Sequence, residues 1–124
     1  MHDVYINSFG SFLPGAPIPN SEMEHYLGHV FGKPSKFKSI TLRQNKIKTR
    51  HYAVEQDGTT KHTSAAMAAQ AIRTAVNNSE IVLDDIRYLA ASATLGDGLV
   101  PGLAAHIHAA LNIKEIEIAN FQSV

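Results

Sequence analysis

The chain has 124 residues, enough for one domain with its own core, and its 44% hydrophobic and 18% charged residues exclude a disordered tail. Eleven basic and eleven acidic side chains cancel, which excludes a global basic field for nucleic acid or for an anionic membrane. The chain lacks a secretory signal pattern and any apolar run of the ~18 residues that a membrane span needs, so we expect a cytoplasmic protein. It also lacks cysteine, which excludes disulfides within this stretch.

The beginning of the chain predicts a strand, an irregular segment and a helix. Val4–Phe9 alternates apolar and polar residues, as a half-buried strand does. Leu13–Pro17 contains two prolines, which remove backbone donors and predict a turn. Asn20 or Ser21 is expected to cap a helix that ends by residues 28–32, where two glycines stand.

Residues 33–50 form a basic segment with seven Lys or Arg side chains and no acidic one. Two interpretations remain open. Charge runs of this kind are usually solvated loops. Alternatively, the segment is the rim of a site that attracts a phosphorylated carrier or cofactor.

The second half predicts two helices and two strands. Thr63–Asn77 carries small apolar residues at helical spacing and is rich in alanine, the best helix former. Ile86–Thr94 is an apolar run with little alternation, typical of a strand covered on both faces. After a turn at residues 96–98, Pro101 suits the first turn of a helix that ends near Leu111. Ile116–Phe121 is a further strand, and the element order indicates an α/β fold.

The last predicted strand runs into Val124 without a following turn. In α/β sheets the reactive groups lie just beyond the carboxyl ends of strands, often on a sharp strand-to-helix elbow. The chain stops where such an elbow would begin.

A series of motifs in this order resembles the N-terminal third of a β-ketoacyl-acyl-carrier-protein synthase III, a condensing enzyme of the thiolase fold. The matching residues are Gly10, Leu13-Pro14 and Asn20, then Lys46–His51, the alanine-rich helix Thr63–Val76, Asp85-Ile86, the proline-led helix Pro101–Leu111 and the strand Ile116–Phe121. The resemblance implies that residues 1–124 are the N-terminal portion of a layered αβαβα thiolase-like domain with a mixed sheet.

The resemblance also implies the chemistry. In this family the strand that corresponds to Ala119–Val124 leads into the nucleophilic cysteine, so the cysteine is expected directly after Val124 and no catalytic residue lies in this chain. The implied reaction is a Claisen-type condensation of an acyl-cysteine intermediate with a second thioester. Coenzyme A or phosphopantetheine thioesters are then substrates, and no further cofactor is expected. The implied partners are an acyl carrier protein or acyl-CoA, a second copy in a homodimer, and the remainder of the same enzyme, without which these residues are expected to be inactive.

Three departures from the family pattern concern substrate binding. Gln44 stands where a typical member has an arginine that grips coenzyme A, although Arg43 is adjacent, and the chain has no tryptophan to stack on adenine. Arg43 and Gln44 are candidates for the pantetheine or nucleotide entrance, with a solvated loop as the alternative. Val100 replaces a bulky aromatic residue. Together with Thr94 and Leu99 it is a candidate for the acyl tunnel or dimer interface, with plain packing as the alternative.

Ile47–Ala53, together with His108, is closer to synthases that form dialkylresorcinols or cyclohexanediones.

The histidines themselves predict no metal site. His25 and His29 have helical ligand spacing, but zinc needs three or four converging ligands.

Two other functions stay open from the sequence. The chain is alternatively a non-catalytic, truncated paralogue that dimerises with a full-length synthase, or a stand-alone α/β binding module. An isolated piece of a larger sheet is expected to aggregate, because it exposes an apolar face and an open edge. A stable monomer would therefore favour the binding module.

Overall fold

The computed structural model describes residues 3–122 and divides into two compact units. One unit is made by Leu13–His62, and the other by the residues that precede and follow this stretch. Both units contain helices and strands, so the predicted α/β class is confirmed. No helix among the described residues is long and apolar enough to cross a membrane.

The unit of residues 13–62 contains two short strands and two helices. Strand β1 (Ile18–Pro19) pairs antiparallel with β2 (Thr49–Arg50), and Ile18 lies opposite Arg50. Helix α1 (Met23–Leu27) and helix α2 (Lys38–Asn45) lie between the strands in sequence. Neither short strand was predicted, because a two-residue strand leaves no alternating pattern in the sequence.

Asn20 connects the two strands instead of capping a helix, so the predicted cap is wrong. Helix α1 follows Glu22 and has no side-chain cap. The Asn20 amide nitrogen donates to the Ile47 carbonyl at 2.6 Å, and its oxygen accepts from the Arg50 guanidinium at 2.6 Å. The Asn20 backbone N–H also donates to the Lys48 carbonyl. The Asn20 side chain therefore joins two motifs that are separate in the sequence, its own and Lys46–His51.

The basic segment contains a helix, so a loop throughout residues 33–50 was the wrong prediction for Lys38–Asn45. Lys38 donates to the Glu24 carboxylate at 2.9 Å, which ties α2 to α1. The hydrogen bond from Lys38 is the main cause that lowers the pKa of Glu24 below its ordinary value. The helix ends at Lys46, which adopts a left-handed conformation with φ of 57°. The remaining residues of the segment are irregular or belong to β2.

The segment of residues 3–12 is not a strand, in contrast to the prediction for Val4–Phe9. Strands require a neighbouring strand to satisfy their backbone groups, and none of those described lies beside this segment. It is fastened to a helix instead. Ser8 donates to the Ala75 carbonyl at 2.7 Å, and the Asn78 side chain donates to the Phe9 carbonyl at 3.2 Å.

The same unit is built around helix α3 (Ser64–Asn77) and helix α4 (Leu103–Leu111). The α3 prediction is confirmed, and Thr63 Oγ1 caps the helix by accepting from the Ala66 N–H. Helix α4 begins two residues after Pro101, so this proline precedes the first turn instead of lying within it. The small core joins both helices to one strand and consists of Ala65, Ala69, Ala91, Ala104, Ile107 and Leu111.

Strand β3 (Tyr88–Ala93) and strand β4 (Glu117–Gln122) form a parallel pair beneath α4. Partners across a parallel pair point to the same face. Ala91, which is buried, and Asn120 are partners on the face that packs against α4. The opposite face, which carries Tyr88 and Phe121, is exposed. The prediction that β3 is covered on both faces is therefore wrong for the described residues, because their helices cover one face only.

Candidate active-site cleft

A cleft of about 270 Å³ lies at the carboxyl ends of the parallel strands β3 and β4. Its lining comes from these strand ends, from the loop that follows β3 and from the start of α4, and includes Ala93, Leu95, Gly96, Gly98, Leu99, Leu103, Asn120, Phe121 and Gln122. Ligands of open α/β folds bind outside the carboxyl ends of the strands. Ser123 and Val124, which precede the expected elbow, lie outside the described residues.

The floor of the cleft is fixed by a hydrogen bond between β4 and α4. The Asn120 side-chain oxygen accepts from the Ala104 N–H at 2.6 Å. This bond satisfies one of the four backbone donors that a helix N-terminus leaves without a helical partner. A Cβ on Gly102 would lie 2.6 Å from Cγ of Asn120, so glycine at this position allows the amide to approach the helix. The strand and the helix that border the cleft are thus held in one arrangement.

Asp97, in the loop of residues 94–102, binds the N-terminus of helix α3. One carboxylate oxygen accepts from the Ser64 N–H and the other from the Ala65 N–H, both at 2.7 Å. Negative charge is favourable at a helix N-terminus, where the backbone dipoles leave partial positive charge. The sequence predicted only a turn at residues 96–98, and nothing in it indicated a partner more than 30 residues away.

The pKa of Asp97 lies below its ordinary value of 3.8. Burial of the carboxylate acts most strongly and raises this pKa, but several favourable groups together outweigh it. These groups are the N–H donors of Ala65 and Ser64, the Ser64 side chain and the nearby His106. Asp97 is therefore ionised at neutral pH, in the state that both hydrogen bonds require.

Of the three tunnel candidates, the structure places one in the wall of the cleft. Leu99 lines it and is 88% exposed. Thr94 directly follows β3, and Val100 is 91% exposed, but neither belongs to the lining. Their assignment to substrate binding stays a prediction.

The two entrance candidates, Arg43 and Gln44, lie in the last turn of α2 and are exposed. They belong to the unit of residues 13–62, which has a shallow groove of its own. That groove is lined by Met23, Leu27, Ser35, Lys38, Thr41, Leu42, Asn45, Arg50 and Tyr52, and so by neither candidate. A role at a pantetheine entrance likewise stays a prediction.

The histidines do not converge on a metal centre. Within residues 3–122 no three His, Asp or Glu side chains are grouped as metal ligands. Helix α1 ends before Gly28, so His29 is not on the same helix as His25. His29 instead lies 3.9 Å from the Glu24 carboxylate. His51 Nδ1 lies 3.2 Å from the Pro14 carbonyl oxygen, which can only accept, so this nitrogen carries the proton.

Several solved structures match nearly the whole chain. A tetronic acid condensing enzyme, AbyA1, is 26% identical, with a TM-score of 0.73 over 94% of this chain and 35% of its own. The 3-oxoacyl-(acyl carrier protein) synthase III of Pseudomonas aeruginosa PAO1 is 20% identical, with a TM-score of 0.63 over 93% of this chain and 32% of its own. The chain has the thiolase-type fold of the condensing enzymes. The resemblance to a β-ketoacyl-acyl-carrier-protein synthase III, which was inferred from the sequence, is thereby confirmed.

A third match shows how far the fold extends among such enzymes. The C-terminal type III polyketide synthase domain of Steely1 from Dictyostelium is 19% identical, with a TM-score of 0.65 over 96% of this chain and 39% of its own. The chain spans about a third of the length of the structures it matches. No family model and no curated protein sequence matches it.

Proposed function

We propose that the chain belongs to a cytoplasmic condensing enzyme that joins two acyl thioesters through a Claisen-type reaction. A cysteine directly after Val124 takes the first acyl group from its thioester, and the thiol of coenzyme A or of the carrier is released. Decarboxylation or deprotonation of the second thioester gives a carbanion. The carbanion attacks the acyl-cysteine carbonyl, forms the new carbon–carbon bond and releases the cysteine thiolate. A thiolate suits this acyl transfer because it is a strong nucleophile, and a helix N-terminus favours it by lowering the pKa of the cysteine thiol. Backbone amides then stabilise the oxyanion that forms on the attacked carbonyl.

The cleft at the carboxyl ends of β3 and β4 is the observation that carries this proposal. Asn120 and Gln122 line it and stand in the strand that leads to the proposed cysteine. An apolar wall with Leu95 and Leu99 suits an acyl chain. We therefore propose that the nucleophile reaches this cleft, where Leu95 and Leu99 supply an apolar wall.

The distribution of charge supports an acidic partner, for which we propose an acyl carrier protein or acyl-CoA. The unit of residues 13–62 carries eight Lys or Arg side chains and four Asp or Glu side chains, whereas the rest of the chain carries three and seven. Two of the acidic side chains, Glu24 and Glu55, already pair with lysines. Exposed cations such as Lys36 and Arg43 remain to attract phosphate or acidic side chains, and such attraction raises association rates.

The proposed product class is a ring that carries two oxygen substituents in a β relationship. Ile47–Ala53 and His108 resemble synthases of dialkylresorcinols and cyclohexanediones, and the 26% identical structure is a tetronic acid condensing enzyme. Resorcinols, 1,3-cyclohexanediones and tetronic acid share this ring oxygenation. We further propose that the enzyme acts as a homodimer.

Acyl transfer to the residue after Val124 tests the proposal directly. The native protein that carries residues 1–124 is incubated with acetyl-CoA and with octanoyl-CoA, and its intact mass is recorded. We expect a mass increase of one acyl group, located by peptide mapping to a cysteine after Val124 and lost when this cysteine is replaced by alanine. Pretreatment with iodoacetamide should block the same site.

The contrary outcome is equally specific. A native protein that has no cysteine at this position and forms no adduct would contradict an enzymatic role. If such a protein co-purified with a full-length synthase and changed the chain length of its products, the non-catalytic paralogue would replace the present proposal.

A further inference from the structure

The loop of residues 94–102 is held from outside at two separate points. Asp97 binds the first two N–H groups of helix α3 through both carboxylate oxygens. At the other end, Asn120 occupies the space beside Gly102 and caps α4 through Ala104. The loop therefore has one tether to a helix and another to the strand at the floor of the cleft.

The large aliphatic side chains of this loop, on both sides of Asp97, face solvent. Leu95, Leu99 and Val100 are 81%, 88% and 91% exposed. Glycines precede and follow Asp97, and glycine gives a backbone the most conformational freedom to lose. Without a tether, a loop of this composition would sample many conformations, and Leu95 and Leu99 would not keep their places in the cleft wall.

Helix α3 has a local cap besides the bonds from Asp97. Thr63 already supplies a local cap by accepting from the Ala66 N–H. Asp97 adds two further bonds from a residue 32 or 33 positions away. The bonds between Asp97 and the start of α3 close a long stretch of chain, and this closure costs conformational entropy at both of its ends. They therefore restrain the loop that carries Asp97 as well as the helix.

We infer that Asp97 is a positioning residue, which holds the loop of residues 94–102 so that Leu95 and Leu99 form a preorganised wall of the cleft. Through this wall Asp97 sets the range of acyl chain lengths that the cleft accepts. The statement on chain length rests on the proposed condensing function, whereas the tether itself does not.

Hydrogen exchange of the native protein that carries residues 1–124 tests the tether. Asp97→Asn keeps the shape of the side chain but offers one acceptor oxygen instead of two and loses the charge. We expect deuterium uptake in residues 94–99 to become about tenfold faster, as loss of one or two such bonds implies. The matched control is Thr63→Ala, which removes a cap bond from the same helix end and leaves the loop bonds in place, so its loop uptake should equal that of the wild type. Unchanged uptake in Asp97→Asn, or an equal increase in both variants, would overturn the inference.

The ratio of kcat/KM for octanoyl and acetyl thioesters tests the effect on selectivity. We expect Asp97→Asn to change this ratio by about tenfold, because the wall of an apolar pocket discriminates chain length at this scale. Thr63→Ala should keep the wild-type ratio. A ratio unchanged in Asp97→Asn, with both activities lowered alike, would assign Asp97 a merely structural role. If the wild type itself forms no acyl adduct, the proposed function fails, and the exchange measurement still decides whether the tether exists.

Discussion

Gly102 and Asn120 lie so close together that the side-chain amide of Asn120 fills the position next to the glycine Cα. A Cβ on Gly102 would approach Cγ and Nδ2 of Asn120 to 2.6 Å. The same amide accepts from the Ala104 N–H, so it cannot move aside without losing this bond. The junction between β4 and α4 thus requires a residue without a Cβ at position 102.

Gly102→Ala should therefore destabilise the protein by about 1–3 kcal/mol, the usual cost of overpacking. In an Asn120→Ala background the obstacle is gone, and the same substitution should cost much less. Chemical denaturation of the four proteins in this double-mutant cycle measures the coupling. Gly98→Ala is the control for stability, since its added Cβ would meet its nearest described neighbour, His106, at 3.7 Å, an ordinary contact distance. Additive costs in the cycle would contradict the proposed collision.

Asn120 is expected to tolerate aspartate but not alanine. Asn120→Ala removes the acceptor for the Ala104 N–H and should cost about 1 kcal/mol, as loss of a helix cap does. Asn120→Asp keeps an acceptor of the same size and adds negative charge at the helix N-terminus, where it gains about 0.3–1 kcal/mol. Thermal unfolding near neutral pH should rank aspartate at or above the wild type and alanine below it. A loss of equal size in both variants would show that the amide nitrogen, and not the oxygen, is the important group.

Asp97 should make the stability of the protein depend on pH in the acid range. Its pKa is lowered in the folded state, so its contribution is fully present above the ordinary value of 3.8 and is lost as the pH falls through the lower folded value. The difference in stability between the wild type and Asp97→Asn should thus be largest near neutrality and shrink below about pH 4. Urea denaturation at a series of pH values measures this difference. Thr63→Ala removes no titratable group, so its difference from the wild type should stay constant over the same range.

Gly10 should be intolerant of a side chain. A Cβ at this position would collide with the Ala71 carbonyl oxygen and with the backbone of Ala75, neither of which is a flexible group. Gly10→Ala should therefore detach residues 8–10 from α3 and break the hydrogen bond from Ser8. Limited proteolysis would detect the detachment as faster cleavage before residue 13. Ser11→Ala, a change at an exposed position of the same segment, should leave the cleavage rate unchanged.

The sequence by itself determined the elements whose stability is local. Thr63–Asn77 reads as a helix because alanine propensity and the spacing of small apolar residues act within a few residues, and the observed helix agrees. The predicted strands Ile86–Thr94 and Ile116–Phe121 lie within two residues of β3 and β4. The thiolase-type fold was predicted through the resemblance of these motifs, in their order and spacing, to a β-ketoacyl-acyl-carrier-protein synthase III.

The tertiary structure alone decided which polar side chains hold these elements together. Asp97, Asn20 and Asn120 each bind backbone groups at least 16 positions away. The sequence predicted only a turn for the segment of Asp97 and a helix cap for Asn20. A hydrogen bond of this range depends on where the folded chain returns, which no local period records. For the same reason Val4–Phe9 has the pattern of a strand without being one. A strand exists only beside its neighbour, and the described part of the chain gives this segment a helix instead.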